Sequence, residues 1–272
     1  MSQVESVTIR KNNSSATVHL FGATLTSWKP NGCEALFVSK NSHFDNKNPI
    51  RGGVPVIFPQ FGPWENGPQH GFARRTLWSV KHGENDPGKV TLVLEESEDS
   101  LKIWNYRFKF EYTLSLVSDS ELKMDAVITN RDENEFSFTF LLHTYFSVPD
   151  IEKCGIVGLK GCSYVDKVKN GAKSVEENDE IKISEFTDRV YLSTPNVNKI
   201  SHASQDREIT IEKCNLPDTV VWNPWIDNAK KMADFGDDEY KQMVCVEAGY
   251  VGKPYDLISG DSFRASQSLK VL

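Results

Sequence analysis

Two residues stand in unusual surroundings for their types. His143 lies in FSFTFLLHTYF, residues 136–146, and Glu247 lies in MVCVEAGY, residues 243–250. An ionised carboxylate is rarely buried in an apolar run without a partner. An imidazole titrates near neutrality. A carboxyl group raised by an apolar wall and an imidazole beside it could therefore act as base and acid at physiological pH. On residue types alone, a buried ion pair for Glu247 and a satisfied strand histidine for His143 stay open as well.

A third concentration of chemistry is RGGVPVIFPQFGPWENGPQHGFARR, residues 51–75, which sets Arg51, Arg74 and Arg75 around His70 and several glycines and prolines. The chain carries a formal net charge of -7, so any basic patch is local, and these arginines could make an anion site on an acidic molecule. Each charge-assisted bond there would contribute about 1.5–3 kcal/mol. Arg75 is expected to be a solvated surface residue. Gly52, Gly53 and Gly71 are expected to let a ligand approach the backbone closely. The pattern GxxxxGK[ST] is absent, so a nucleotide phosphate cradle is not indicated.

The elements that must position these groups read as strands. In YRFKFEYTLSL, residues 106–116, every even position is apolar and every odd one polar, the period of a half-buried strand. The alternation resumes over 122–128 and again over 136–146, predicting a three-strand antiparallel meander. In the last segment Phe136, Phe138, Phe140 and Leu142 form one face, and His143 projects from the other with Ser137 and Thr139. Further strands are expected at 17–20, 91–94, 181–183, 189–192, 208–211, 219–222 and 242–247. Val54, Val56 and Phe58 alternate like a short strand that Pro55 and Pro59 confine to an edge or a rim loop. One helix is expected over 227–235, DNAKKMADF, capped by Asp227 and stopped by Gly236. Trp64, Trp222 and Trp225 are expected to pack in the core. Strands running nearly end to end, with no linker or low-complexity tract, indicate an all-β sandwich or barrel forming a single domain over 1–272.

Composition narrows the function classes. An acidic chain with pI near 5.5 lacks the basic face that nucleic acid requires. No window approaches the roughly 18 apolar residues of a membrane span, and MSQVESVTIRKNNSS lacks the apolar core of a signal peptide, so a cytoplasmic protein is expected. The five cysteines are scattered without a CxxC pair, which reads as reduced thiols, mostly small buried hydrophobes, with no metal site.

Taken in order, PIRGGVPVIFPQFG, PQHGFAR, FLLHTYF, FTDRVY and VCVEAGY resemble the hexose-6-phosphate mutarotases (glucose-6-phosphate 1-epimerases) of the aldose 1-epimerase superfamily. The resemblance spans most of the chain. It implies a galactose-mutarotase-like β-sandwich of large twisted antiparallel sheets with few short helices. It implies His143 as general acid and Glu247 as general base, with Arg51, Gln69 and Arg74 binding the ligand and Asp188 holding sugar hydroxyls. His70 resembles a second binding histidine of the wider superfamily. The implied partner is a small-molecule hexose 6-phosphate, with no cofactor and a monomeric chain. The alternatives are an aldose 1-epimerase for unphosphorylated sugars and a non-catalytic carbohydrate-binding module.

Overall fold

The alternation at 106–116 becomes strand Phe108–Ser118, whose even positions are buried from Phe108 through Leu116. It turns at Ser118 into Glu121–Asn130, the antiparallel partner. The third expected strand leaves this meander. Glu121–Asn130 takes Ser262–Val271 as its other neighbour, while Phe136–Leu142 crosses to a different sheet and pairs with Val56–Ile57 and Met243–Leu257. The reason is in its side chains. From Phe138 onward both faces of this strand are buried, which suits a strand covered on two sides better than one with a solvated face.

The computed structural model describes residues 5–83 and 85–272. Their strands form sheets of nine, eight and three. The nine-stranded sheet runs from Glu180–Ile181 at one edge, through Ile209–Cys214, Ser262–Val271 and Phe108–Ser118, to Ser79–Val80 at the other. The eight-stranded sheet places Thr187–Tyr191, Asp218–Asn223, Met243–Leu257, Phe136–Leu142 and Val56–Ile57 side by side. Val56–Ile57 ends this row, as its flanking prolines require.

The core lies between the two large sheets. Phe140 meets Phe110 with centroids 5.7 Å apart, and Phe138 meets Phe263 at 5.3 Å. Val221, Val244, Val246 and Ala248 complete the apolar inner face of the eight-stranded sheet. Burying each such phenylalanine contributes about 1.5–3 kcal/mol. Strand period then fixes where chemistry can occur: with Val244, Val246 and Ala248 turned inward, Cys245 and Glu247 must project from the outer face.

The small sheet of Ser6–Lys11, Ser14–His19 and Thr24–Lys29 joins the rest through a bridge from Leu25 to Val54. Here the glycine expectation is corrected. Gly53 has φ +66, and a Cβ on it would lie 2.1 Å from the Leu25 carbonyl oxygen; Gly71, at φ +71, would meet the Phe58 oxygen at 2.2 Å. These glycines let neighbouring chain segments approach each other and so anchor the arginine-bearing loop.

The expected helix over 227–235 is also displaced. The observed turn is Trp225–Ala229, opened by the Trp225 N–H donating to Asn223 Oδ1. Asp234 is thereby freed to face Arg51. A second short helix, Glu98–Ile103, capped by Ser97, was missed because it spans fewer than two turns. Cys154 and Cys245 are buried, but Cys214 is exposed and Cys33 and Cys162 are half-buried, so the buried-hydrophobe reading holds for two of the five. Among the described residues, no helix is long and apolar enough to cross a membrane.

Candidate active site

Strand register assembles the floor of the site. Leu142 pairs with Ala248 and Tyr145 with Cys245, so His143 falls opposite Glu247. Glu247 pairs with Val220, and Val220 with Val190. One step along, Tyr145, Cys245, Trp222 and Asp188 make a second row. Registered partners project to the same side of a sheet, and both rows lie on the outer face.

Over this floor stands a cavity of about 420 Å³, within the usual size of small-molecule pockets. Its walls bring together Arg51, Gln69, His70, Arg74, His143, Asp188 and Glu247, all seven residues singled out in the sequence. Phe61, Lys167, Trp222 and Met232 also line it. Trp64 and Trp225 pack against the core as expected, and Trp222 packs against the smaller buried cluster around Tyr145 while also lining the cavity.

His143 Nδ1 lies 3.4 Å from Glu247 Oε1, outside hydrogen-bond geometry. His143 Nδ1 and Glu247 Oε2 are both buried without a partner among the described residues. A buried polar atom left in this way costs about 1–3 kcal/mol, and a ligand hydroxyl would satisfy it. Burial, reinforced by Asp188, pushes the Glu247 carboxyl well above the carboxylate range. Burial, reinforced by His70, Arg74 and Arg51, holds His143 well below its ordinary value. Both shifts favour the uncharged forms. Carboxylic acid with imidazole and carboxylate with imidazolium hold the same number of protons, so one proton transfer interconverts them.

The walls are fixed by separate devices. Arg51 donates from Nε to Asp234 Oδ2 at 3.1 Å, with a terminal nitrogen in ion-pair contact with the same oxygen at 3.1 Å, and donates from its other terminal nitrogen to the Tyr145 hydroxyl at 3.2 Å. The Tyr145 ring lies face to face with the His143 imidazole, with centroids 4.8 Å apart and planes 12° apart. Arg74 donates to the Gln69 carbonyl at 2.9 Å, and its buried Nε has no partner among the described residues. Desolvation lowers the Arg74 guanidinium to about 10.

His70 accepts the Gly62 N–H at Nδ1, 3.0 Å, which leaves the proton on Nε2 of the neutral ring. Burial and then Arg74 bring it down to about 3, so it stays neutral. Burial raises Asp188, with Lys167 opposing at 3.8 Å; the same Lys167 ammonium sits 4.1 Å over the Phe61 ring. Arg75 is exposed, as expected.

Sequence reasoning missed Lys167 and Asp234. Lys167 sits in a turn with no motif around it, and Asp234 was assigned to a helix. Tyr145 carried a usable signal, being two positions from His143 on the same strand face.

The aldose 1-epimerase family model matches residues 5–270. A Cenchrus ciliaris protein provisionally named glucose-6-phosphate 1-epimerase is 39% identical, covering 100% of this chain and 86% of its own length. An Escherichia coli protein of the same provisional name is 35% identical, covering 94% of this chain and 86% of its own. The crystal structure of a provisionally named mutarotase from Salmonella typhimurium superposes with a TM-score of 0.89 at 32% identity, covering 98% of this chain and 90% of that one. A galactose mutarotase related enzyme from Lactobacillus acidophilus shares the fold, with a TM-score of 0.80 at 18% identity over 98% and 97% of the two chains.

Proposed function

This chain belongs to the aldose 1-epimerase family and is a mutarotase, and from that premise we propose that it interconverts the anomers of glucose 6-phosphate and related aldohexose 6-phosphates. The observation that carries this reading is one cavity holding an acid–base pair on its floor and two half-buried arginines in its wall. Glu247 takes the proton of the anomeric hydroxyl while His143 gives one to the ring oxygen. The bond between anomeric carbon and ring oxygen breaks, leaving the open-chain aldehyde. Rotation presents the other carbonyl face, and ring closure with the two roles exchanged yields the other anomer. Each proton transfer contributes about 10²–10⁴-fold.

Asp188 and Gln69 hold sugar hydroxyls, and the neutral His70 offers its Nε2 proton to another. Arg74, whose Nε is unpartnered, is the principal contact for the 6-phosphate; Arg51, committed to Asp234 and Tyr145, is the second. An unphosphorylated hexose would leave both guanidinium groups without an anion. The test compares enzyme-catalysed anomer exchange on glucose 6-phosphate and glucose by polarimetry. Wild type is expected to prefer the phosphate by about 10²-fold or more in kcat/KM, and Arg74→Ala to erase most of that preference. Equal rates on the two sugars would sink the phosphate reading and leave an aldose 1-epimerase for free sugars.

A further inference from the structure

The wall that holds the arginines is shared by two cavities. Arg51, Gln69 and Arg74 line the catalytic cavity and also a neighbouring one of about 340 Å³, to which Tyr145 and Asp234 contribute. Tyr145 therefore stands between that arginine-lined space and His143, with its hydroxyl at Arg51 and its ring against the imidazole. A Tyr hydroxyl that accepts from Arg51 still has its own proton to donate. An anion at Arg51 would be its natural acceptor, and the resulting chain Asp234–Arg51–Tyr145–anion would fix the ring on which His143 rests.

We propose that a dianion held by Arg51 and Arg74 is an activator as well as an anchor: through Tyr145 and by cancelling two positive charges, it brings His143 into its proton-donating form. The proposal rests on the phosphate reading given above and extends it to how the phosphate would raise the rate.

The charges support this direction. The titratable and charged groups that bear on the imidazole are Glu247 at 3.4 Å, Cys245, Tyr145, His70, Arg51 and Arg74. Arg74 and Arg51 both oppose a proton on His143. Arg51 is also joined to the imidazole by contact, through the Tyr145 hydroxyl it donates to and the Tyr145 ring stacked on His143. A dianion paired with both arginines removes the two positive charges that oppose a proton on His143, and through Tyr145 it acts on the imidazole directly. Binding energy at a group remote from the reacting centre is in this way used in catalysis and not only in affinity.

The two halves of the substrate can be supplied separately. The probe is inorganic phosphite, HPO₃²⁻, added at constant ionic strength to wild-type enzyme acting on glucose, with the enzyme-free rate at each phosphite concentration subtracted. The enzyme-catalysed exchange is expected to rise roughly tenfold or more to a plateau. The activation ratio should fall toward one in Arg74→Gln and by more than half in Tyr145→Phe, which keeps the ring and loses the hydroxyl. The ¹⁵N signals of the His143 ring should move toward imidazolium on phosphite addition in wild type, and less so in Tyr145→Phe. Wild-type exchange that is unchanged or only inhibited by phosphite overturns the proposal. If that enzyme still prefers glucose 6-phosphate, the function proposed above survives. Full activation in Tyr145→Phe overturns the route through Tyr145.

Discussion

Two of the buried polar centres among the described residues are finished in opposite ways. Around Asp218, one carboxylate oxygen accepts the Ser193 N–H at 3.1 Å and the other accepts the N–H groups of Val251 and Gly252 at 2.9 and 2.7 Å. Nearby, the buried Lys213 ammonium donates to Thr194 Oγ1, the Leu216 carbonyl and the Asp218 carbonyl. At the other centre, Glu247 and His143 keep polar atoms that nothing in the described protein satisfies. Cavity size does not tell the two apart: the hollow beside Asp218 measures about 470 Å³ and the catalytic one about 420 Å³. What differs is unspent hydrogen-bonding capacity, which belongs to a ligand at one site and to the fold at the other.

The sharpest way to break this contrast is Glu247→Gln. Anomer exchange is expected to fall about 10³-fold or more, because the amide cannot accept the anomeric proton. The variant should nevertheless melt higher than wild type at neutral pH, since the buried carboxyl is held protonated in the folded state at a pH where the unfolded chain ionises, and the amide has no such penalty. The pH dependence carries a sign. The carboxyl is raised above its ordinary 4.5 on folding, so the native state holds a proton that the unfolded chain has released. Wild-type stability is therefore full below the ordinary carboxylate range and is lost as pH rises toward the folded value. Thermal melts from pH 4 to 8 should show the two proteins together at the acidic end and the variant pulling ahead above it. A variant that is less stable at every pH would mean that Glu247 is a structural ion-pair partner after all.

Asp218→Ala tests the opposite pole. It strands three backbone N–H groups, and about 3 kcal/mol of stability should be lost by urea denaturation. Exchange per folded molecule should stay near wild type, because Asp218 lines a different cavity. Loss of turnover without loss of stability would erase the distinction between the two centres.

The same contrast explains how much could be read from the chain. The even-position alternation of 106–116 dictates a buried face whatever lies around it, and that strand was legible. His143 and Glu247 stood out because polar groups in apolar runs violate a local rule that a fold keeps only for a reason. Their meeting was not local: it depends on Leu142 pairing with Ala248 and Tyr145 with Cys245, a register between distant segments. Phe136–Leu142 leaves the meander for the same kind of reason, since alternation specifies a face but not the neighbour it is set against. The glycines at 52, 53 and 71 signalled close approach, but only the fold shows that the approaching group is backbone from Phe37, Leu25 and Phe58. Asp218 gave no warning, because a carboxylate before a strand is ordinary in sequence and its three donors come from elsewhere in the chain.

The smallest expected effect sharpens the comparison at the cavity rim, where two consecutive arginines differ as the two centres do. Arg74 is desolvated with an unpartnered Nε, whereas Arg75 is exposed. An exposed charge acts through high dielectric and contributes about 0–1 kcal/mol. Arg75→Ala should therefore change kcat/KM on glucose 6-phosphate by about twofold or less, through attraction of the dianion to the cavity mouth, and 0.5 M salt should abolish even that by screening. Arg74→Ala should keep most of its deficit at the same salt, because a buried pairing is screened far less. If Arg75→Ala proves as damaging as Arg74→Ala and equally resistant to salt, the phosphate sits on the outer side of the arginine wall, and the division of labour between the two residues has to be reversed.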